Sequence, residues 1–480
     1  MQSRKNVILI RPEMGKALKG NTNQVNPPIG LGYLAAYLDR AGYHVDILDL
    51  ANRQISMDTL VAFIKRRAPI LVGISALTAY YMRMKELCLA LRAALDDIVL
   101  VLGGVHPSSL PDHAIRECDA DFIVIGEGEQ TLLELARAIE SGTRDFSRIK
   151  GIAYRQDGSV KTTEPRDLID DIDSLPMPAW HKINPNTYPK NPHGVLLKHV
   201  EVAPIVTSRG CPFTCMYCAS CQFWRQRIRF RSVKSVVDEI QYLHDEFGIR
   251  EIHFWDDNIT LRRDHIIALC KELIKRGLNK MAFSAPNGVR VDTLDKTMLR
   301  WMKAAGFYSM TFAVESGSAR ILREMKKKID LVKILENTVI AHELGFMINS
   351  FFIIGFPGDT EESITRTIQY AVSIPFTYSV FFHLKPLPGS DIFTSWSSKV
   401  NLQDFNWDRL TDYMHVSQEA LCKLPVAYLV KMYKRAYTAK ILRIKTFPVM
   451  AFWSLRFFHF AQLRLKISNM IAYYLKFLFV

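Results

Sequence analysis

The sequence predicts an α/β protein: a Rossmann-like N-terminal domain, then a partial (β/α)6 barrel, then a basic helical tail. Three observations carry this. Short apolar runs alternate with helical spacing five times between residues 6 and 140, and the same rhythm resumes six times between 202 and 384. After Glu419 the chain has no Asp or Glu at all. Its 480 residues are enough for two or three hydrophobic cores.

Residues 6–10 (NVILI) are an uninterrupted apolar run, as expected of a strand covered on both faces. A polar loop through Pro28 leads to helical spacing at 30–41 and a strand at 44–48. Helices at 56–67 and 80–96 precede strands at 70–74 and 98–102, and a last strand–helix pair lies at 121–125 and 129–140. Five strands separated by helices imply a parallel sheet whose binding crevice lies at the strand carboxyl ends. From 150 to 163 the rhythm changes, because two alternating runs flank Asp157-Gly158, a hairpin turn signal. The Pro-rich stretch 175–192 reads as an interdomain linker.

The second series has strands at 202–207, 251–255, 281–285, 308–314, 349–354 and 378–384. Helical patterns between them fall at 233–247, 263–276, 295–305, 318–340 and 361–373. Six units are too few for a closed eight-stranded barrel, so this one is read as open, with its chemistry on the loops after the strands. The expected organisation is a Rossmann-like domain over 1–145, a hairpin and linker over 146–195, the barrel over 196–400 and a helical C-terminal region over 401–480.

Charge is unevenly placed. The net charge is +14, and the tail 420–480 holds seven Lys and four Arg, which leaves +3 for residues 1–419. A nearly balanced core argues against a nucleic-acid partner. The tail also carries thirteen aromatics, including Phe447, Phe452, Trp453, Phe457, Phe458, Phe460, Tyr473 and Tyr474. Basic aromatic helices lie on anionic membrane surfaces, and they also serve as solvated caps over a fold; both readings stand. Arg456, Arg464, Lys466 and Lys476 break the tail's apolar runs well short of the ~20 residues a spanning helix needs. The apolar run after Met1-Gln2-Ser3-Arg4-Lys5 is too short for a signal peptide. A cytoplasmic protein, with peripheral contact at the inner membrane surface through 420–480, is the expectation.

Of eight cysteines, four fall at 211, 215, 218 and 221, and the other four are scattered through apolar patterns. A disulfide framework is not distributed this way, so the clustered thiols point to a metal in a reducing compartment. Ser208-Arg209-Gly210-Cys211-Pro212-Phe213-Thr214-Cys215-Met216-Tyr217-Cys218 follows the first barrel strand directly. Three thiolates on one short loop suit a cubane cluster and leave one iron open to a ligand, which a four-cysteine electron carrier does not offer. Zinc sites usually add a second Cys or His pair, and none is present. Cys221 is expected to be spare, because a ferredoxin-like set also needs a remote Cys followed by Pro.

Cys-x3-Cys-x-aromatic-Cys in this setting resembles the radical S-adenosylmethionine superfamily. The resemblance implies a [4Fe-4S] cluster on Cys211, Cys215 and Cys218. It also implies that the open iron chelates S-adenosylmethionine, which is cleaved reductively to a 5′-deoxyadenosyl radical. Tyr217 occupies the aromatic position that flanks adenine in that family. Asp256, in Trp255-Asp256-Asp257-Asn258, corresponds to polar groups near the methionine amine, although a helix N-cap is an equal use for it. Glu315 and Ser316 resemble contacts to the ribose or methionine part, with Ser318 a plain helix cap as the alternative. Gly355, in Gly355-Phe356-Pro357-Gly358, would let the backbone approach adenine, or simply make a tight turn.

In the N-terminal domain, Ser75-x-Leu77 after the third strand and Gly103-Gly104 after the fourth resemble two of three elements of cobalamin-binding domains. Gly126-Glu127-Gly128-Glu129 after the fifth also resembles them. The third element, with its cobalt-ligating histidine, is replaced by Arg11-Pro12-Glu13-Met14-Gly15. Over residues 1–400 the resemblance is to the cobalamin-binding radical enzymes, which include the anaerobic magnesium-protoporphyrin IX monomethyl ester cyclase and many methyltransferases. It implies radical methylation or oxidative cyclisation of a small-molecule substrate, a lipid or tetrapyrrole suiting the tail. A flavodoxin or ferredoxin would supply the electron. The alternative is a non-catalytic iron–sulfur or corrinoid-binding scaffold.

Overall fold

Five buried apolar strands make the first sheet of the computed structural model, which describes residues 5–14, 25–189, 197–403, 405–410 and 421–441. They are β1 (Asn6–Arg11), β2 (His44–Asp49), β3 (Leu71–Ser75), β4 (Leu100–Gly103) and β5 (Phe122–Val124). All run parallel in the order β2-β1-β3-β4-β5. Successive side chains of a strand face opposite ways. Val7 and Leu9 therefore pack with helices Ile29–Arg40 and Gly128–Glu140, while Ile8 and Ile10 pack with helices Met57–Arg67, Tyr81–Ala94 and Pro111–Glu117. The expected hairpin forms β6 (Ile152–Gln156) and β7 (Ser159–Thr162), which extend the sheet antiparallel from β5. Both turn residues, Asp157 and Gly158, have positive φ, as a two-residue turn of this hand requires.

This sheet belongs to a unit made of Met1–Pro189, Ser208–Ser232 and Pro386–Asp412. Phe393, Phe405, Trp407 and Leu410 from its last segment fill the same core as Ile8 and Ile10. Two short helices, Val105–Ser109 and Pro111–Glu117, occupy a stretch to which periodicity assigns no element.

The second unit comprises Lys190–Thr207, Val233–Lys385 and Tyr413–Val480. Its sheet starts with β8 (Val202–Ile205). The next two strands, β9 (Ser208–Arg209) and β10 (Arg229–Phe230), form an antiparallel ribbon in the first unit. The sheet resumes with β11 (Glu251–Phe254), β12 (Ala282–Val289), β13 (Phe307–Glu315), β14 (Met347–Ile354) and β15 (Tyr378–His383). Each strand lies parallel beside its successor, with β8 and β15 at the two edges. That is the open six-stranded barrel expected from the strand count.

One expected element is corrected. The single helix at 318–340 is two helices, Ala319–Glu324 and Leu331–Glu343. Lys326 and Lys328 between them adopt left-handed φ of 56° and 48°, which ends the first helix. Apolar spacing continues on both sides of the break, so periodicity alone runs through it.

Of the basic tail, helix Val426–Ile441 is described, and Leu429, Met432, Tyr433, Ala436 and Tyr437 are buried. Edge strand β15 is capped by it: Phe381 N–H donates to the Tyr437 hydroxyl at 3.1 Å, and that hydroxyl donates to Phe381 O at 3.2 Å. Residues 442–480, with Phe447 to Tyr474, lie outside the described residues. No helix among the described residues is long and apolar enough to cross a membrane.

Candidate active site

The cysteine loop 210–228 is closed at its base by the β9–β10 ribbon, in which Arg209 pairs with Arg229. Gly210 enters the loop at φ 100°, where a Cβ would stand 2.0 Å from the Arg227 carbonyl oxygen. Only glycine fits there. Cys218 N–H donates to Cys215 O at 3.0 Å, so Cys215 to Cys218 is one tight turn with Tyr217 half-buried inside it. Cys221 is buried in the short helix Ser220–Phe223 behind that turn, and its thiol donates to Cys215 O at 3.8 Å. Its hydrogen bond with Cys218, then burial, then the charges of Cys218, Cys215 and Cys211 push its pKa up. All four thiols thus sit close enough to feel one another, and none is in a disulfide. Among the described residues no three His, Cys, Asp or Glu side chains converge on a single ion. A cubane takes each thiolate on a different iron, so its ligands stand further apart than those around one zinc.

The loop's base is tied to the N-terminal sheet by ions. Arg209 donates to Glu127 at 2.7 Å and to Glu129 at 2.6 Å, and Arg229 donates to Glu127 at 2.6 Å. Glu127 also accepts from Ile169 N–H at 2.8 Å. Burial raises the Glu127 carboxyl, but the bonds and charges of Arg229 and Arg209 outweigh it and hold the pKa below the ordinary value. The motif Gly126-Glu127-Gly128-Glu129 is visible in the sequence, but its arginine partners lie 80 or more residues away.

In the same unit, the sheet reverses its winding between β1 and β3, and ligands of such sheets bind outside the strand carboxyl ends at that point. Ser75, Leu77, Gly103 and Gly104 all stand at that end. The two loops are laced together: Ala76 N–H donates to Gly103 O at 3.1 Å and His106 N–H to Ala76 O at 3.3 Å. Gly104 has φ 91°, and a Cβ on it would meet Ala76 O at 2.7 Å and Ser75 Oγ at 2.9 Å. Leu77 is 53% exposed beside them, an apolar surface open to a ligand. At the end of β1, Arg11 makes a two-point contact with Asp49, Nε at 2.7 Å and Nη2 at 2.5 Å. These glycines and the exposed Leu77 fit the nucleotide tail of a cobalamin, and the thiol set fits a cluster.

In the second unit, Thr207, Asp256, Glu315, Gly355 and His383 share the carboxyl end of the barrel strands. Both Asp256 oxygens accept from Thr207, from its N–H at 3.0 and 3.1 Å and its hydroxyl at 2.7 Å. The N-cap alternative for Asp256 fails, because the next helix begins at Arg263. Glu315 is buried with φ 70°, at a register shift in β13, and Lys327 reaches it at 3.2 Å. Lys327 is 4% exposed, which its place in the all-basic run Lys326-Lys327-Lys328 does not signal. Ser316 shares a hydrogen bond with Thr367 at 3.0 Å and accepts from Ser318 N–H at 3.1 Å. Ser318 precedes helix Ala319–Glu324 without capping it through its side chain. Asp359 accepts from Gly355 N–H and Phe356 N–H, both at 3.0 Å, and so shapes the Gly355 loop. His383 is 1% exposed, and a Cβ on Gly355 would lie 2.8 Å from its Nε2. Burial, then Lys385, lowers the His383 pKa to about 4.

Comparison with known proteins agrees with both halves. A family model described as a B12 binding domain matches residues 15–136, and one described as the Radical SAM superfamily matches residues 205–371. The chain is 31% identical over 442 residues to an uncharacterized methyltransferase of Pyrococcus horikoshii, covering 92% of this chain and 93% of that protein. It is 31% identical to the cytidylyl-2-hydroxyethylphosphonate methyltransferase of Streptomyces wedmorensis, covering 80% of each. Identity is 30% to the anaerobic magnesium-protoporphyrin IX monomethyl ester cyclase of Rubrivivax gelatinosus, over 83% of this chain and 71% of that one. Among solved structures, the radical S-adenosylmethionine methyltransferase TsrM of Kitasatospora setae matches with a TM-score of 0.70. That match has 20% identity and covers 88% of this chain and 82% of TsrM, a likeness of fold.

Proposed function

This chain belongs to the cobalamin-dependent radical S-adenosylmethionine methyltransferases and cyclases, and from that premise we propose that it methylates a small organic substrate. The observation that carries methylation over cyclisation is the near full-length match, 92% of this chain and 93% of the relative, to a protein named as a methyltransferase. When bound, the cluster supplies the electron that cleaves S-adenosylmethionine and the corrinoid supplies the methyl group.

The chain's own residues bind and orient these groups. Cys211, Cys215 and Cys218 would hold the cluster from one loop, and Tyr217, within its Cys215–Cys218 turn, would lie against adenine. Asp256 fixes Thr207, the last residue before the cysteine loop's ribbon. Glu315 and Lys327, a buried pair of opposite charges, suit the ammonium and carboxylate of the methionine end. Ser316 and the Gly355 loop shape the wall beside the nucleoside. Ser75, Leu77, Gly103 and Gly104 receive the nucleotide tail of cobalamin. A flavodoxin or ferredoxin delivers the electron, and segment 420–480 brings the enzyme to an anionic membrane carrying a lipid or tetrapyrrole substrate.

The test is anaerobic reconstitution with iron, sulfide and cobalamin. Reduction should yield an S = 1/2 signal, and S-adenosylmethionine should be cleaved to 5′-deoxyadenosine. With S-adenosylmethionine deuterated at its methyl group, label should appear in an extract product. An oxidised, unlabelled product would establish the cyclase reading instead, and no 5′-deoxyadenosine would defeat both. Co-sedimentation with anionic vesicles, with and without 420–480, tests the membrane contact; equal, poor binding by both would exclude it.

A further inference from the structure

Four ionic side chains meet at the foot of the cysteine loop, and all four are largely buried. The side chains of Arg209, Arg229, Glu127 and Glu129 are 11%, 5%, 4% and 5% exposed. Arg209 and Arg229 are direct cross-strand partners on β9 and β10. Two like charges so placed repel, and would push the ribbon open without counterions. Glu127 bridges them, with one oxygen on each guanidinium. Glu129 takes the second arm of Arg209. Tyr33 lies under the Arg209 guanidinium at 4.9 Å, and Trp224 of the loop itself lies under that of Arg229 at 5.4 Å.

Glu127 reaches this place because Gly126 turns the chain after β5 at φ 82°, and because Gly128 leaves only 3.0 Å between a would-be Cβ and Leu34. The motif Gly-Glu-Gly-Glu therefore has a physical reading: glycines for the turn and its packing, glutamates as counterions for the ribbon. We propose that Glu127 is a positioning residue for the cluster, clamping both ends of the cysteine loop to the B12-binding domain through Arg209 and Arg229. This rests on the reading that Cys211, Cys215 and Cys218 hold the cluster.

Two consequences follow from electrostatics. Removing the Glu127 charge leaves Arg229 buried without its counterion, so the ribbon opens and the thiolates lose their common geometry. The local charge also rises by one, which favours the reduced, more negative cluster. A residue that merely filled space would produce neither.

The experiment uses the full chain, reconstituted anaerobically as wild type, Glu127→Gln, Glu127→Asp and Glu129→Gln. It measures the rate of iron release to a chelator, the cluster midpoint potential by EPR-monitored titration, and hydroxocobalamin binding by visible absorption. Glu127→Gln should bind hydroxocobalamin as wild type does but release iron about 10–100-fold faster, the usual cost of losing an outer-shell partner of a metal ligand. Its midpoint should move to more positive potential. Glu129→Gln should do less, because Arg209 keeps Glu127, and Glu127→Asp should recover part of the loss. The proposal is overturned if Glu127→Gln keeps wild-type iron release and potential. It is equally overturned if that variant loses hydroxocobalamin too, since the residue would then hold the whole unit together rather than the loop. A wild type that assembles no cluster would defeat the functional reading instead.

Discussion

Gly210→Ala is the sharpest local perturbation available in the cysteine loop. Its φ of 100° is outside the range an L side chain adopts comfortably, and such strain costs ~1–3 kcal/mol. The new methyl would sit 2.0 Å from the Arg227 carbonyl oxygen and 3.0 Å from Trp224 Cβ. Relief of that overlap adds ~1–3 kcal/mol, by analogy with overpacked cores. At about 1.4 kcal/mol per factor of ten, a total of ~2–6 kcal/mol lowers the population of the native loop by ~30-fold to 10⁴-fold. The backbone around residue 210 must shift to relieve that overlap, and Cys211 is the next residue along. Iron content after anaerobic reconstitution and desalting is the assay, with bound hydroxocobalamin as the control for the rest of the unit. The variant should hold less than about a tenth of the wild-type iron while still binding the corrinoid. A full complement of tightly held iron in Gly210→Ala would refute the reasoning, because the loop would then tolerate a shape the structure forbids.

Cys221→Ala should leave iron content and the reduced EPR signal unchanged, since that thiol points at Cys215 O from behind the turn; loss of the signal would instead make it a ligand. Gly104→Ala should weaken hydroxocobalamin binding at least about tenfold in an absorption titration while sparing the cluster, because its Cβ would strike the Ala76 carbonyl oxygen at 2.7 Å. His383, whose pKa falls from 6.5 to about 4 on folding, makes stability depend on pH. Between those values the unfolded chain binds the proton and the folded one does not, so stability is full above about pH 6.5 and falls as pH drops toward 4. The lost amount is roughly 3 kcal/mol, and His383→Phe should flatten that part of the pH dependence in urea unfolding of the apo chain. An unchanged slope would mean the imidazole is protonated in the folded state.

The order of the sheet strands, most of the helices between them, the hairpin at Asp157-Gly158 and the single loop carrying Cys211, Cys215 and Cys218 were legible in the sequence. Each follows from the geometry of a few consecutive residues: a period of two or 3.6, a turn that needs positive φ, thiols that one loop keeps together. What tertiary structure alone decided are the partnerships across distance. Glu127 meets Arg209 and Arg229 across 82 and 102 residues, and the stretch from Phe393 to Leu410 returns to the core of the first sheet. The same is true of smaller choices. The Asp256 carboxylate went to Thr207, Lys327 was drawn inward to Glu315, and Tyr437 capped the backbone of β15. A local pattern states which face of an element is apolar, but it holds no information about which buried charge will find which counterion. That depends on desolvation, and desolvation exists only once the sheets have closed over the groups concerned.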